Sequence, residues 1–122
     1  MSSGCPDAAA AEHPVDATAG HSLWVNVATL ASASKAADPR PALRHSRTPV
    51  LVLRAQCDYL RWEVTREYRD TFPQSTMLTI DAAGHTVLAD EPAETGTAVA
   101  AFLTGEALPA KPYTAAEAPW QR

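Results

Sequence analysis

The sequence has few large hydrophobic residues. Leu, Ile, Val and Phe together account for 21 of the 122 residues, whereas alanine alone contributes 25. The large residues make up about 17% of the chain, which is below the ~20% under which material for a core becomes scarce. The length allows one small domain and leaves little room for two. We therefore expect one domain with a thin core.

Other absences exclude classes of function. No apolar run approaches the ~18–20 residues of a membrane-spanning helix, so no membrane is expected. Ten Lys and Arg against 14 Asp and Glu give no reason to expect a nucleic-acid partner. The amino terminus lacks a basic head followed by an apolar stretch, which predicts a cytoplasmic protein without a signal peptide. Two cysteines, Cys5 and Cys57, are too few for a disulfide scaffold and have no metal-binding spacing, so Cys57 is expected to be a buried thiol.

Composition divides the chain into four regions. An Ala-, Pro-, Asp- and Gly-rich start is expected to be irregular or disordered. A short amphipathic helix and a Pro-rich linker follow, then a segment with clear strand and helix patterns, and finally a Pro-rich tail. These regions are residues 1–20, 21–47, 48–105 and 106–122.

The third region alternates strand and helix patterns. Residues 50–53 are apolar at every position, as in a parallel strand that is covered on both faces. Apolar residues then recur four apart up to Pro73, which is typical of an amphipathic helix. A second strand over residues 76–80 and a last helix from near Pro92 to Gly105 complete the pattern. This order predicts an α/β fold with a parallel pair of strands joined by a right-handed crossover.

One acidic and one basic side chain follow the two predicted strands. Asp58 lies five residues after the first strand, and His85 lies five residues after the second. Because adjacent parallel strands are ~4.8 Å apart, loops at the same end of the sheet bring such residues within hydrogen-bonding distance. A carboxylate on one imidazole nitrogen fixes the tautomer and stabilises the cation formed when the other nitrogen takes a proton. Gly84 would allow positive φ or a close backbone approach beside the histidine.

The motifs around these two residues resemble a known family. Residues 48–60 read Thr-Pro-Val-Leu-Val-Leu-Arg-Ala-Gln-Cys-Asp-Tyr-Leu, and Ala-Gly-His follows the second strand. Asp-Glu-Pro then precedes a helix that ends in Ala-Phe-Leu. From Thr48 to Leu103 this pattern resembles the C-terminal part of an α/β-hydrolase, closest to the prolyl-aminopeptidase-like branch with a helical cap.

The resemblance implies a fold and a role for each residue. The fold would be an incomplete α/β-hydrolase-type parallel sheet, strand–helix–strand–helix, with residues 21–47 as a remnant of the cap. Asp58 would be the catalytic acid and His85 the general base of a Ser-His-Asp peptidase or esterase. No cofactor and no metal are implied. The substrate would be a peptide or small molecule, bound by the complete enzyme.

Two positions depart from the family pattern. Ala55 stands where the family usually has glycine. More seriously, no serine of the chain lies in a Gly-x-Ser-x-Gly elbow, the site of the family's nucleophile. The chain therefore resembles the last third of such an enzyme, and we expect it to be inactive alone. A partner chain that carries the nucleophile is one way in which the site could be completed. Two alternatives stay open: a non-catalytic remnant or subunit that completes a partner's sheet, or the same part of a dehalogenase or epoxide hydrolase with an Asp nucleophile.

The site residues also have plainer interpretations. Asp58 could cap the helix that follows it, and His85 could be an ordinary surface-loop histidine. Asp81 and Asp90 are alternative partners for the histidine. Packing is favoured over substrate contact for the aromatic residues Trp24, Tyr59, Trp62 and Tyr68. Tyr59 and Trp62 are the two that could contact substrate instead, because they lie next to the acid.

Overall fold

The computed structural model describes Cys5 and residues 23–120. Apart from Cys5, the region expected to be irregular, residues 1–20, lies outside the described residues. The described part contains two strands and five helices, in the order α1 Leu23–Ala33, α2 Arg40–Leu43, β1 Val50–Ala55, α3 Trp62–Thr71, β2 Ser75–Ile80, α4 Val87–Asp90 and α5 Pro92–Thr104. The α/β fold with strand–helix–strand–helix order is confirmed, and no helix of the described part is long and apolar enough to cross a membrane.

The two strands form a parallel pair. Their register runs from Val50 opposite Ser75 to Ala55 opposite Ile80, and α3 makes the crossover between them. The buried core lies along β2 and at the carboxyl ends of both strands, where Ala55 and Ile80 pack with Ala83. The run of residues 50–53, expected to be covered on both faces, is only half-buried. Within residues 23–120, β1 pairs only with β2, so its other edge has no neighbouring strand.

Helix α3 and the α1–α2 segment enclose a groove of about 760 Å³. Val64 and Tyr68 of α3, together with Phe72 directly after the helix, line this groove. Arg40 fixes one wall because its guanidinium bonds Asp38 and also lies 2.6 Å from the Glu67 carboxylate on α3. Its hydrogen bonds hold the pKa of the Asp38 carboxyl below its usual value.

The Pro-rich tail packs against β2 and α3. The amide of Tyr113 donates to the carbonyl of Met77 at 2.8 Å, on the edge of β2 that faces away from β1. The indole of Trp62 donates to the carbonyl of Ala116 at 2.8 Å, and the indole of Trp120 donates to the Asp81 carboxylate at 3.0 Å. The outer edge of β2 is therefore occupied, whereas the outer edge of β1 meets no strand of the described part.

Candidate active site

The carboxyl ends of the strands bring Asp58 and His85 together. After β1, the chain turns at residues 56–57 and leaves Asp58 only 7% exposed. Oδ1 of Asp58 accepts a hydrogen bond from the amide of Leu60 at 2.9 Å and lies 3.0 Å from Nδ1 of His85. The amide contact gives Asp58 a turn-forming role, but Asp58 does not cap the helix that follows, because the N-cap of α3 is Arg61 and no side chain caps it. The same oxygen therefore contacts both its own turn and the imidazole.

The donor in this pair follows from the chemistry of its two groups. An ionised carboxylate has no proton to give, so with Asp58 ionised the donor in this contact is Nδ1–H of His85. The other ring nitrogen, Nε2, is then the one with a free lone pair in the neutral ring. The His85 side chain is 44% exposed, so a reactant can approach it. This tautomer and this exposure suit a general base.

Backbone and side-chain hydrogen bonds join the two loops that carry the pair. The amide of Gln56 donates to the carbonyl of Ile80 at 3.0 Å, and the amide of Cys57 donates to the carbonyl of Ala83 at 2.9 Å. The side-chain Oε1 of Gln56 accepts from the amide of Ala82 at 2.9 Å. Sequence reasoning did not single out Gln56, because a glutamine in a polar turn carries no distinctive pattern.

Gly84 lies close to the side chain of Asp90. Its amide donates to Oδ2 of Asp90 at 2.7 Å, and a Cβ at this position would lie 3.0 Å from the same oxygen. The positive φ considered for Gly84 occurs instead at Ala82, with φ 56°. Asp90 thus bonds the backbone beside His85, and Asp81 bonds the tail. The hydrogen-bonded partner of the imidazole is Asp58.

A buried arginine lies beneath the acid. Arg54, on β1, is 7% exposed, and its Nη1 lies 3.7 Å from Oδ2 of Asp58. The same guanidinium donates to Oγ1 of Thr65 at 3.0 Å and to the carbonyl of Leu60 at 2.9 Å. Sequence reasoning missed this residue, since an arginine at the end of an apolar strand gives no sign of which way it points.

Two aromatic residues beside the acid take different places. Tyr59 is 75% exposed, and its ring lies 4.6 Å from the imidazole of His85, between centroids and at a tilt of 44°. Trp62 packs edge-on against Tyr113 of the tail. Tyr59 therefore borders the site, and Trp62 serves the packing of the tail.

Cys57 forms a disulfide with Cys5, which corrects the expectation of a buried thiol. The two Cα atoms are 5.5 Å apart although 52 positions separate them in the chain. Cysteine counting could not reveal this pair, because nothing in the sequence shows that residue 5 returns to the acid loop. The disulfide anchors Cys5 to the residue directly before Asp58.

The described serines offer no nucleophile next to this pair. Ser46 and Ser75 lie at the starts of the strands, whereas the pair lies past their ends. A strand of this length separates those ends by roughly 17 Å. Ser32 and Ser34 belong to α1 and the turn after it. In the described part, no three His, Cys, Asp or Glu side chains converge on a point where they could hold a metal ion.

The observed architecture defines a class of protein. Two parallel strands, a crossover helix, and an Asp and a His on the loops at their carboxyl ends correspond to the C-terminal part of an α/β-hydrolase fold. A family model described as TAP-like protein matches residues 18–115. The chain therefore belongs to the TAP-like family of α/β-hydrolases. Searches of curated proteins and of solved structures each gave no match.

Proposed function

We propose that this chain supplies the acid–base half of a Ser-His-Asp hydrolase of peptidase or esterase type. The observation that carries the proposal is the 3.0 Å contact between Oδ1 of Asp58 and Nδ1 of His85 at the carboxyl ends of two parallel strands. Open α/β sheets bind their ligands at this edge. The serine belongs to a segment outside these 122 residues, on the same polypeptide or on a partner chain.

In the proposed reaction His85 moves a proton twice. Its Nε2 takes the proton of the serine hydroxyl while the serine oxygen attacks the substrate carbonyl, and it then gives that proton to the leaving group. Asp58 keeps Nδ1 protonated, holds the ring, and stabilises the imidazolium between the two transfers. Burial of Asp58 strengthens this last effect, because a charge interacts more strongly where water is excluded. No cofactor takes part.

The chain alone should hydrolyse very little. Oxyanion stabilisation is usually the largest single contribution to such a reaction, and it requires donors placed around the nucleophile. The nucleophile elbow, which supplies one of these donors in α/β-hydrolases, is absent from this sequence. Without the serine, the general base can assist only the attack of water on a substrate. We therefore expect activity only when the nucleophile-bearing part is present.

The free edge of β1 is where we propose that this part attaches. The tail bonds the outer edge of β2 through Tyr113, which favours growth of the sheet on the side of β1. The half-buried apolar residues of β1, Val50 to Leu53, suit a strand that gains a neighbour. An added strand would also remove an exposed edge, which is a risk for aggregation.

The compartment is a separate question. The sequence predicts a cytoplasmic protein. The disulfide between Cys5 and Cys57 counts against it, because disulfides persist in oxidising compartments and are rare in the cytosol. We propose that the protein works where this bond stays oxidised.

Ester hydrolysis by the reassembled enzyme tests the proposal. The chain would be co-expressed with the product of the reading frame directly upstream that encodes Gly-x-Ser-x-Gly, and p-nitrophenyl acetate would be the substrate. We expect turnover from the pair of polypeptides and background rates from either alone. The variant His85→Ala should lose the activity, whereas His45→Ala, an exposed histidine before β1, should keep it.

Other outcomes would assign the chain differently. Equal turnover by His85→Ala and the unaltered chain would contradict the acid–base role. A locus without any such reading frame, together with a folded and inactive chain, would favour a non-catalytic remnant. Turnover of an epoxide or haloalkane but not of esters would favour an Asp nucleophile. Release of N-terminal proline or short peptides from p-nitroanilides would place the enzyme in the prolyl-aminopeptidase-like branch.

A further inference from the structure

We infer that Arg54 is a positioning residue for Asp58, fixing which carboxylate oxygen faces His85. The inference rests on the proposed function and deepens it, because it assigns a role to a residue outside the Asp–His pair. The starting observation is that Arg54 and Asp58 are both 7% exposed and lie together beneath the loop that carries the acid.

The guanidinium of Arg54 connects three elements. It extends from β1, donates to Oγ1 of Thr65 on α3 at 3.0 Å, and donates to the carbonyl of Leu60 in the acid loop at 2.9 Å. Its Nη1 also faces Oδ2 of Asp58 at 3.7 Å. The planar fork of an arginine holds such a set of acceptors in fixed directions, which a flexible lysine does not.

The two oxygens of Asp58 therefore have separate surroundings. Oδ1 receives the amide of Leu60 and the ring nitrogen of His85, and Oδ2 faces the arginine. The guanidinium beside Oδ2 keeps that oxygen turned towards Arg54, and a carboxylate only accepts hydrogen bonds. The oxygen Oδ1 can then form a hydrogen bond with His85 only if Nδ1 of the ring carries the proton. Arg54 thus acts on the imidazole through Asp58, without touching it.

The stability of the fold does not by itself explain why an arginine lies at position 54. Burying a charged pair often gains nothing over well-packed hydrophobic residues of the same volume. The Nε atom of Arg54 is buried and finds no acceptor within the described part of the chain, which is a further cost. A role in orienting Asp58 explains the presence of Arg54, which packing alone does not explain.

The tautomer of His85 tests this inference without any activity measurement. The ¹⁵N-labelled chain would be studied by long-range ¹H–¹⁵N correlation NMR at about pH 8, where an ordinary histidine is neutral. In the unaltered chain we expect His85 to be in the Nδ1–H form, distinct from the exposed His45. In Arg54→Met this form should be lost, with His85 giving a tautomer mixture like that of His45. Arg47→Met, which removes an exposed arginine, should change nothing.

A conservative variant covers the case in which Arg54→Met does not fold. Arg54→Lys keeps the charge and should fold, with a reduced Nδ1–H fraction because the fork is gone. A folded Arg54→Met with the tautomer of the unaltered chain would overturn the inference. So would an unfolded Arg54→Met beside an Arg54→Lys that has the unaltered signature, since Arg54 would then serve stability through charge alone. Failure of the ester assay would leave these results unchanged, so the two proposals fail separately.

Discussion

The substitution Asp58→Asn removes one charge from a buried pair and leaves the other. The side chains of Arg54 and Asp58 are each 9% exposed, and the nearest nitrogen and oxygen are 3.7 Å apart. Coulomb's law at this distance, with an effective dielectric constant of about 20, gives an attraction of about 4–5 kcal/mol. Mutations that break one partner of a buried pair typically cost about 3–5 kcal/mol. We therefore expect Asp58→Asn to lower the free energy of unfolding by about 3–5 kcal/mol.

A surface aspartate provides the matched control. Asp70 lies 2.8 Å from Arg69 and 4.0 Å from Arg66, but its side chain is 55% exposed. Exposed ion pairs contribute about 0–1 kcal/mol. Asp70→Asn should therefore change the free energy of unfolding by no more than about 1 kcal/mol. Both values would be measured by urea denaturation followed by circular dichroism, with the disulfide intact.

A double variant shows whether the lost stability comes from leaving Arg54 buried without its partner. Single domains are stable by about 5–15 kcal/mol, so Asp58→Asn alone could leave the chain largely unfolded. In Asp58→Asn with Arg54→Met no buried charge is left without a partner, so much of the lost stability should return. The reasoning would be refuted if Asp58→Asn cost no more than Asp70→Asn. It would also be refuted if the effects of the two substitutions at the pair simply added.

Three further substitutions test the contacts around the site. Cys5→Ser opens a loop of 52 positions and should cost about 2–4 kcal/mol in urea denaturation; a denaturation curve equal to that of the oxidised chain would contradict the disulfide. Gln56→Leu leaves the amide of Ala82 without its 2.9 Å acceptor and should lower the free energy of unfolding, measured by thermal denaturation, by about 1–2 kcal/mol. An unchanged stability would show that this hydrogen bond does not stabilise the fold. Trp62→Phe keeps an aromatic ring but removes the indole donor that holds the tail; hydrogen exchange at the Tyr113 amide should accelerate roughly fivefold, and an unchanged rate would show that the tail is held otherwise.

The elements with strong local patterns were predictable. The apolar run that begins at Val50 became β1, and the second strand lies within one residue of its predicted start. Pro92 begins the last helix, and Gly105 ends it in the left-handed conformation that glycine tolerates. The proximity of Asp58 and His85 followed from strand order alone, because parallel strands joined by a crossover end at the same edge.

The features that the sequence did not reveal depend on tertiary contacts. The direction of the Arg54 side chain is set by acceptors on α3 and in the acid loop, which no local pattern encodes. The tail was expected to be a separate Pro-rich region, yet Tyr113 bonds a strand edge 36 positions away. The stripe on α3 was identified by its spacing, but spacing does not say whether a stripe meets a sheet or an open groove. Here it lines the groove.

The central claim is that His85, oriented by Asp58, is the general base for a serine outside these residues. The most direct measurement is the rate at which a fluorophosphonate probe labels that serine in the chain co-purified with the nucleophile-bearing polypeptide. General-base assistance is worth about 10²–10⁴-fold, so His85→Ala should slow labelling by that factor while His45→Ala leaves it unchanged. Labelling of the His85→Ala complex at the rate of the unaltered complex would contradict the account.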